Sequence, residues 1–137
     1  MRFLLHYAPV EFEIPDEWWL ATRAEGFRLC SQTYRPVPDA DSPAIVVPIS
    51  HVAPPTRDPG VTWFHRDRMI PILRGLIVGD SLLPIEAHVP PAMAEFQYAV
   101  RNGFHRFYVS AALGFSHVPL AVLPFFDIRS CGFSRSR

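Results

Sequence analysis

Residues 96–115, FQYAVRNGFHRFYVSAALGF, decide the fold. In the first part of this stretch, Phe96, Tyr98 and Val100 alternate with polar or small residues, which is the pattern of a strand with one face in the core. Beyond Asn102-Gly103 the apolar residues follow helical spacing instead, and they are Phe104, Phe107, Tyr108, Ala111 and Phe115. We therefore predict a strand, a turn and a helix.

A hairpin is the alternative structure for this stretch, because an Asn-Gly pair after a strand is typical of a tight two-residue turn. A hairpin would need alternating residues after the turn, and residues 104–115 do not alternate. The pattern favours a helix with Asn102 or Gly103 near its N-cap and Gly114 at or near its end.

The start of this helix is suited to an anion, because helix N-termini carry unpaired N–H groups and about half a positive charge. On a helical wheel Arg106 lies nearly opposite the apolar face and His105 lies at its margin, so we expect both side chains to project from the first turn. Gly103 would let a ligand approach the backbone closely. The candidate phosphate-binding residues are Asn102, Gly103, Phe104, His105 and Arg106.

Fifteen prolines divide the rest of the chain into short elements. We predict strands over residues 44–49, 82–89 and 118–123, with Pro84 near a strand start or at a sheet edge. A helix is predicted over residues 65–76, with Pro71 within or just after its first turn. These elements predict a small mixed sheet with helices, an α/β (α+β) fold.

Residues 1–43 are predicted to form an N-terminal extension packed on the body. It comprises an extended lead-in over residues 3–14, a short helix that follows Pro15 and ends at Gly26, and a loop over residues 34–43. Trp18 and Trp19 either fix this helix on the body, which we favour, or bind a protein partner. Residues 126–137 are predicted to be a polar tail.

The composition excludes several function classes. All 13 cations are arginines, so chemistry that needs a lysine ammonium, such as Schiff-base formation or the Walker phosphate loop, is excluded. The zero net charge argues against sequence-blind attachment to nucleic acid or anionic lipid. Two cysteines without CxxC spacing, and no apolar run of about 18 residues, predict a cytoplasmic protein without a membrane span.

The run 96–107, continued by residues 111–115 and 118–120, resembles the signature strand, G-x-H-R turn and helix of the ParB/sulfiredoxin superfamily. Upstream, residues 47–50 resemble the opening strand of that superfamily, residues 65–76 its first helix and residues 83–86 its Pro-Ile-acid strand. The resemblance covers roughly residues 44–125, which we take as the domain, and leaves the extension outside.

This resemblance implies a turn that binds nucleotide phosphates, as in sulfiredoxins, ParB-type CTP-binding domains and free-serine kinases. The chain departs from it at two positions: Phe104 stands where sulfiredoxins carry a reactive cysteine, and His105 replaces the first arginine of the ParB pair. The expected ligand is a nucleoside triphosphate or another phosphorylated small molecule, with Mg²⁺ as the expected cofactor. Glu86 is the candidate general base or metal-contacting carboxylate, and a solvated strand-end glutamate is the alternative.

Purely structural roles are also open to the residues of the turn and its surroundings. His105 could simply bond a neighbouring carbonyl, and Arg106 could pair with an acid such as Glu86 or Asp80. The cluster His65-Arg66-Asp67-Arg68 could add phosphate contacts, although a solvated helix start is preferred. The remaining histidines lack zinc-ligand spacing, so no metal site is predicted.

Three functions follow from these observations. The first is a nucleotide- or phosphate-binding domain, with Mg²⁺-dependent hydrolysis or phosphoryl transfer as a further step. The second is a non-catalytic protein-interaction module that keeps the fold. The third is a ParB-like nuclease, against which the lack of a basic excess counts.

Overall fold

Seven strands and three helices make up the described part of this computed structural model, residues 1–39, 43–92 and 94–124. The strands are β1 Arg2–Leu4, β2 Glu11–Glu13, β3 Ile45–Pro48, β4 Val52–Ala53, β5 Ile85–His88, β6 Tyr98–Asn102 and β7 His117–Leu123. The helices are α1 Asp16–Ala21, α2 Arg66–Val78 and α3 Phe104–Leu113. This is the mixed α/β class that the sequence predicts, and the predicted polar tail lies outside the described residues.

Five of the strands form one mixed sheet in the order β3-β7-β5-β6-β4. The pairs β3–β7 and β5–β6 are antiparallel, whereas β5–β7 and β4–β6 are parallel. Ile85 of β5 and Leu120 of β7 are partners in register, and both are fully buried. The core contains these two side chains together with fully buried residues of α2 and α3, namely Met69, Leu73, Phe107 and Tyr108.

The junction between β6 and α3 has the predicted strand–turn–helix form rather than a hairpin. β6 ends at Asn102, Gly103 is the N-cap, and α3 ends before Gly114 in a left-handed conformation. Gly103 has a φ of +125°, and a Cβ there would lie 3.2 Å from Ile85 and 3.3 Å from Nη2 of Arg106. The glycine is therefore required by the backbone angle and by the close packing of β5, rather than by the approach of a ligand alone.

Residues 3–14 form a hairpin rather than the single extended segment that the sequence predicts. β1 and β2 are antiparallel, and the Leu5 N–H donates to the Val10 carbonyl at 3.0 Å to close the connection. Alternation places Phe12 on the buried face of this hairpin, where its ring lies 4.8 Å from that of Tyr108. The hairpin thereby packs the Phe12 ring against α3.

The helix around the two tryptophans is shorter than predicted. α1 ends at Ala21, and a separate 3-10 turn spans Ala24–Gly26 because Arg23 has a left-handed φ of 62°. Trp19 is buried with its ring 5.3 Å from that of Phe3, whereas Trp18 is partly exposed. The burial of Trp19 favours the packing role over the partner-binding role for this side chain.

Residues 34–37 are hydrogen-bonded to residues 79–83, although the sequence predicts only a loop here. Tyr34 is buried, and Pro36 forms an isolated parallel bridge with Leu82. We call residues 34–37 the N-terminal clamp.

None of the helices in the described ranges has the length and apolarity that crossing a membrane requires.

Candidate functional site

A cavity of about 590 Å³ lies between the start of α2, the start of α3 and residues 55–57. Four arginines and one aspartate line it, a formal excess of three positive charges; they are Arg57, Arg68, Arg101, Arg106 and Asp67. The whole chain has no net charge, so the fold concentrates cations at this place. We call it the arginine cavity. A concave, locally cationic site of this kind is suited to a small anion.

Two helix N-termini meet beside this cavity. His65 is the N-cap of α2 and Gly103 is the N-cap of α3, and in the described part of the chain neither N-cap residue makes a capping hydrogen bond with a side chain of its own. The His65 N–H donates to Nε2 of His105 at 3.0 Å, which fixes the two starts side by side. The partial positive charges of both helices therefore lie at one site.

His105 is buried, so the expectation that its side chain projects from the first turn is wrong. Its ring packs 5.8 Å from that of Phe64, and its Nε2 accepts the hydrogen bond that links the helices. Burial, and then the charge of Arg57, lowers the pKa of His105 from 6.5 to about 4. The imidazole is therefore neutral at pH 7, with its hydrogen on Nδ1.

Arg106 projects from α3 as the sequence predicts, but its partners are carbonyls rather than Glu86 or Asp80. Its Nη1 donates to the Leu83 carbonyl at 3.0 Å and to the Pro84 carbonyl at 3.1 Å. These two bonds use one end of the guanidinium and hold it against the connection that precedes β5. The side chain still lines the arginine cavity and retains further donors for a ligand.

Arg57 is a cavity residue that the sequence pattern does not indicate. Its guanidinium carbon lies 3.8 Å from the centre of the Phe104 ring, and its Nε is buried without a hydrogen-bond partner among the described residues. The Tyr108 hydroxyl donates to the Pro55 carbonyl at 2.7 Å and thereby fixes the adjoining loop. The residue lies in a proline-rich break in the sequence, a context that indicates only the end of a strand.

Arg68 also lines the arginine cavity, although the sequence favours a solvated helix start. It belongs to the first turn of α2, which the His65–His105 hydrogen bond places beside α3. The charged cluster 65–68 indicates phosphate contacts in the sequence, but only the hydrogen bond between His65 and His105 places this cluster beside the Gly103 turn.

Glu86 lies in a different cavity from the arginines. It is paired in register with Asn102 and lines a smaller cavity of about 240 Å³, which shares Asn102 and Arg106 with the arginine cavity. Asp67 is instead the carboxylate that lines the arginine cavity. Among the described residues, no three histidine, cysteine, aspartate or glutamate side chains form a metal-binding group.

Comparison with known proteins finds a partial structural similarity. No known protein family matches the sequence, and no curated protein matches it either. The chain is similar in structure to the C-terminally truncated chromosome-partitioning protein ParB from Caulobacter crescentus, solved in complex with CTP-gamma-S, with a TM-score of 0.48 and 19% sequence identity. The similarity covers 69% of this chain and 53% of that one, so the chain spans about half of the other protein.

Proposed function

We propose that this protein binds a nucleotide or another phosphorylated small molecule in the arginine cavity. The observation that carries the proposal is the convergence of four arginines and the N-termini of α2 and α3 on one cavity of about 590 Å³. A charge-assisted hydrogen bond to a phosphate contributes about 1.5–3 kcal/mol. Several such bonds would favour a phosphate compound over a neutral ligand of similar size.

The residues have different roles in this proposal. Arg57, Arg68 and Arg106 contact phosphate oxygens, and the free N–H groups of the first turn of α3 add further donors. His105 acts as a positioning residue, because its Nε2 is already occupied by the His65 N–H. Asn102 lines both cavities and would contact the part of the ligand that extends toward Glu86.

Mg²⁺ would enter with a nucleotide rather than bind to the empty protein. Protein-bound Mg²⁺ typically has one or two carboxylate ligands and takes the remainder from phosphates and water. Asp67 is the carboxylate at the arginine cavity and fits the first of these roles. Glu86 would take part in phosphoryl transfer only if the ligand reaches the smaller cavity.

Thermal unfolding with a panel of phosphate compounds tests binding. The panel contains orthophosphate, pyrophosphate and nucleoside mono-, di- and triphosphates, each with and without Mg²⁺. A ligand at a hundredfold excess over its Kd stabilises the protein by about 2.7 kcal/mol, which is on the order of 10 °C here. The absence of stabilisation by every member would contradict the proposal and favour the interaction module.

Two variants and one control then localise the site. Arg106→Ala and Arg68→Ala should each remove most of the ligand-dependent shift, because both side chains line the cavity. Arg74→Ala is the matched control, since Arg74 is an exposed arginine of α2 that is not among the residues lining the cavity. Equal loss in all three variants would indicate a general charge effect rather than a site.

Turnover requires a separate assay. If a nucleoside triphosphate binds, we expect Glu86→Gln to reduce phosphate release without reducing the thermal shift, because Glu86 lies outside the arginine cavity. Release that is unchanged in Glu86→Gln would remove Glu86 from the reaction.

A further inference from the structure

The N-terminal clamp pairs with the connection between α2 and β5 through its backbone. The Val37 N–H donates to the Leu82 carbonyl at 2.8 Å, and the Leu82 N–H donates to the Arg35 carbonyl at 3.1 Å. Together with the parallel bridge of Pro36 and Leu82, these bonds form a short strand-like contact. The extension is thereby attached to the part of the body that leads into β5.

Side chains of the clamp extend this attachment in both directions. Arg35 donates from Nη2 to the Gly79 carbonyl at 2.7 Å and from Nε to the Ser81 hydroxyl oxygen at 3.0 Å. The Tyr34 hydroxyl donates to the Leu83 carbonyl at 2.7 Å. The connection is therefore held at both ends as well as at its centre.

The Leu83 carbonyl is the same group that accepts a hydrogen bond from Nη1 of Arg106. A carbonyl oxygen has two lone pairs, so it accepts both bonds at once. Tyr34 is buried, and burial raises the pKa of its hydroxyl above the usual value despite the opposing charge of Arg106. The hydroxyl therefore remains a protonated donor.

We propose that Tyr34 is a positioning residue for Arg106, so that the N-terminal extension completes the phosphate site. The inference rests on the proposed function. Tyr34 fixes the direction of the Leu83 carbonyl, and that carbonyl, together with Pro84, fixes one end of the Arg106 guanidinium. The remaining donors of Arg106 are then held in place before a ligand binds, which reduces the ordering cost of binding.

Tyr34→Phe tests this role, because it removes the hydroxyl and keeps the buried ring. Tyr7→Phe is the matched control: the Tyr7 hydroxyl also donates to a backbone carbonyl, that of Val52 at 2.9 Å, and Tyr7 is not among the residues lining the arginine cavity. Calorimetric titration with pyrophosphate should show a loss of affinity of about threefold to tenfold for Tyr34→Phe. Tyr7→Phe should leave the affinity within about twofold, the scatter expected for a distant site. Equal losses would overturn the inference.

A double variant separates positioning from a general loss of structure. If Tyr34 acts through Arg106, Tyr34→Phe should cause no additional loss of pyrophosphate affinity in an Arg106→Ala background. The same fractional loss in both backgrounds would show that Tyr34 acts by another route and would overturn the inference.

An NMR measurement without ligand distinguishes this inference from the proposed function. Two carbonyl bonds at Nη1 should slow the rotation of the Arg106 guanidinium and separate its two Nη signals. We expect Tyr34→Phe, but not Tyr7→Phe, to merge these signals, which are assigned by their loss in Arg106→Ala. If pyrophosphate does not bind the unmodified protein, the proposed function fails while this measurement still decides the positioning. Unchanged Arg106 signals in Tyr34→Phe would overturn the inference that Tyr34 positions Arg106.

Discussion

The two walls of the arginine cavity are built in different ways. One wall, residues 102–106, is a single turn in which backbone and side chains are adjacent in sequence. The other combines residues 55–57 with the start of α2, and it meets the first through His65 and His105, which are 40 residues apart. The first wall depends on local backbone geometry, whereas the second depends on tertiary contacts made by a few side chains.

This difference predicts how each wall responds to substitution. Changes at Gly103 and His105 in the 102–106 wall should affect stability first, because both residues are buried at a helix start. Changes in the second wall should affect ligand affinity first, because Arg57 and Arg68 are not core residues.

The largest expected effect is that of Gly103→Ala. The substitution forces a φ of +125° on alanine and places its Cβ 3.2 Å from Ile85, so we expect a loss of about 2–4 kcal/mol in the free energy of unfolding. Denaturant unfolding measures it. Gly79→Ala is the control, because Gly79 has a φ of +84° with open space around it and should lose only about 1–2 kcal/mol. Equal losses of stability in the two variants would mean that the close contact between residue 103 and Ile85 of β5 does not contribute to the effect.

The next effect is that of His105→Phe, which removes the acceptor for the His65 N–H. The hydrogen bond is only partly buried, so its loss should cost about 0.5–1.5 kcal/mol in the free energy of unfolding, which denaturant unfolding at pH 7 should show. His105→Gln keeps an acceptor oxygen near the position of Nε2 and should restore part of the loss. If His105→Gln and His105→Phe are equally destabilised, the link between the two helix starts contributes little.

The same histidine predicts a pH dependence of stability. The pKa of His105 falls from 6.5 to about 4 on folding, so between these values the unfolded chain binds a proton that the folded protein does not. Its contribution is therefore fully present above pH 6.5 and is lost as the pH falls toward 4. Unfolding midpoints measured from pH 7 to 4 should fall less steeply in both His105 variants. An identical slope would contradict a neutral, buried His105.

The smallest effect on stability, and the clearest on binding, is that of Arg57→Ala. We expect about a tenfold loss of pyrophosphate affinity, which equals about 1.4 kcal/mol, because one charge-assisted bond is removed. The loss of the contact with Phe104 should cost stability only about 0.5–1 kcal/mol. Calorimetric titration and thermal unfolding measure the two quantities on one sample. A large loss of stability with unchanged affinity would assign Arg57 to the structure alone.

The contrast between the walls also explains what the sequence predicts and what it does not. Alternation followed by helical spacing on either side of Gly103 predicts β6 and α3, because both patterns depend on nearby residues. The burial of the His105 side chain and the position of Arg57 depend on contacts with residues that are distant in the sequence. The pairing of the N-terminal clamp with residues 79–83 is not predicted for the same reason.

That both walls form one anion site is tested most directly by an NMR titration of isotopically labelled protein with pyrophosphate. The backbone amide signals of Phe104 and His105 on one wall, and of Arg66 and Asp67 on the other, should shift together and follow a single Kd that weakens with salt. Shifts confined to one wall, two different Kd values or no saturable shift at all would contradict a shared site.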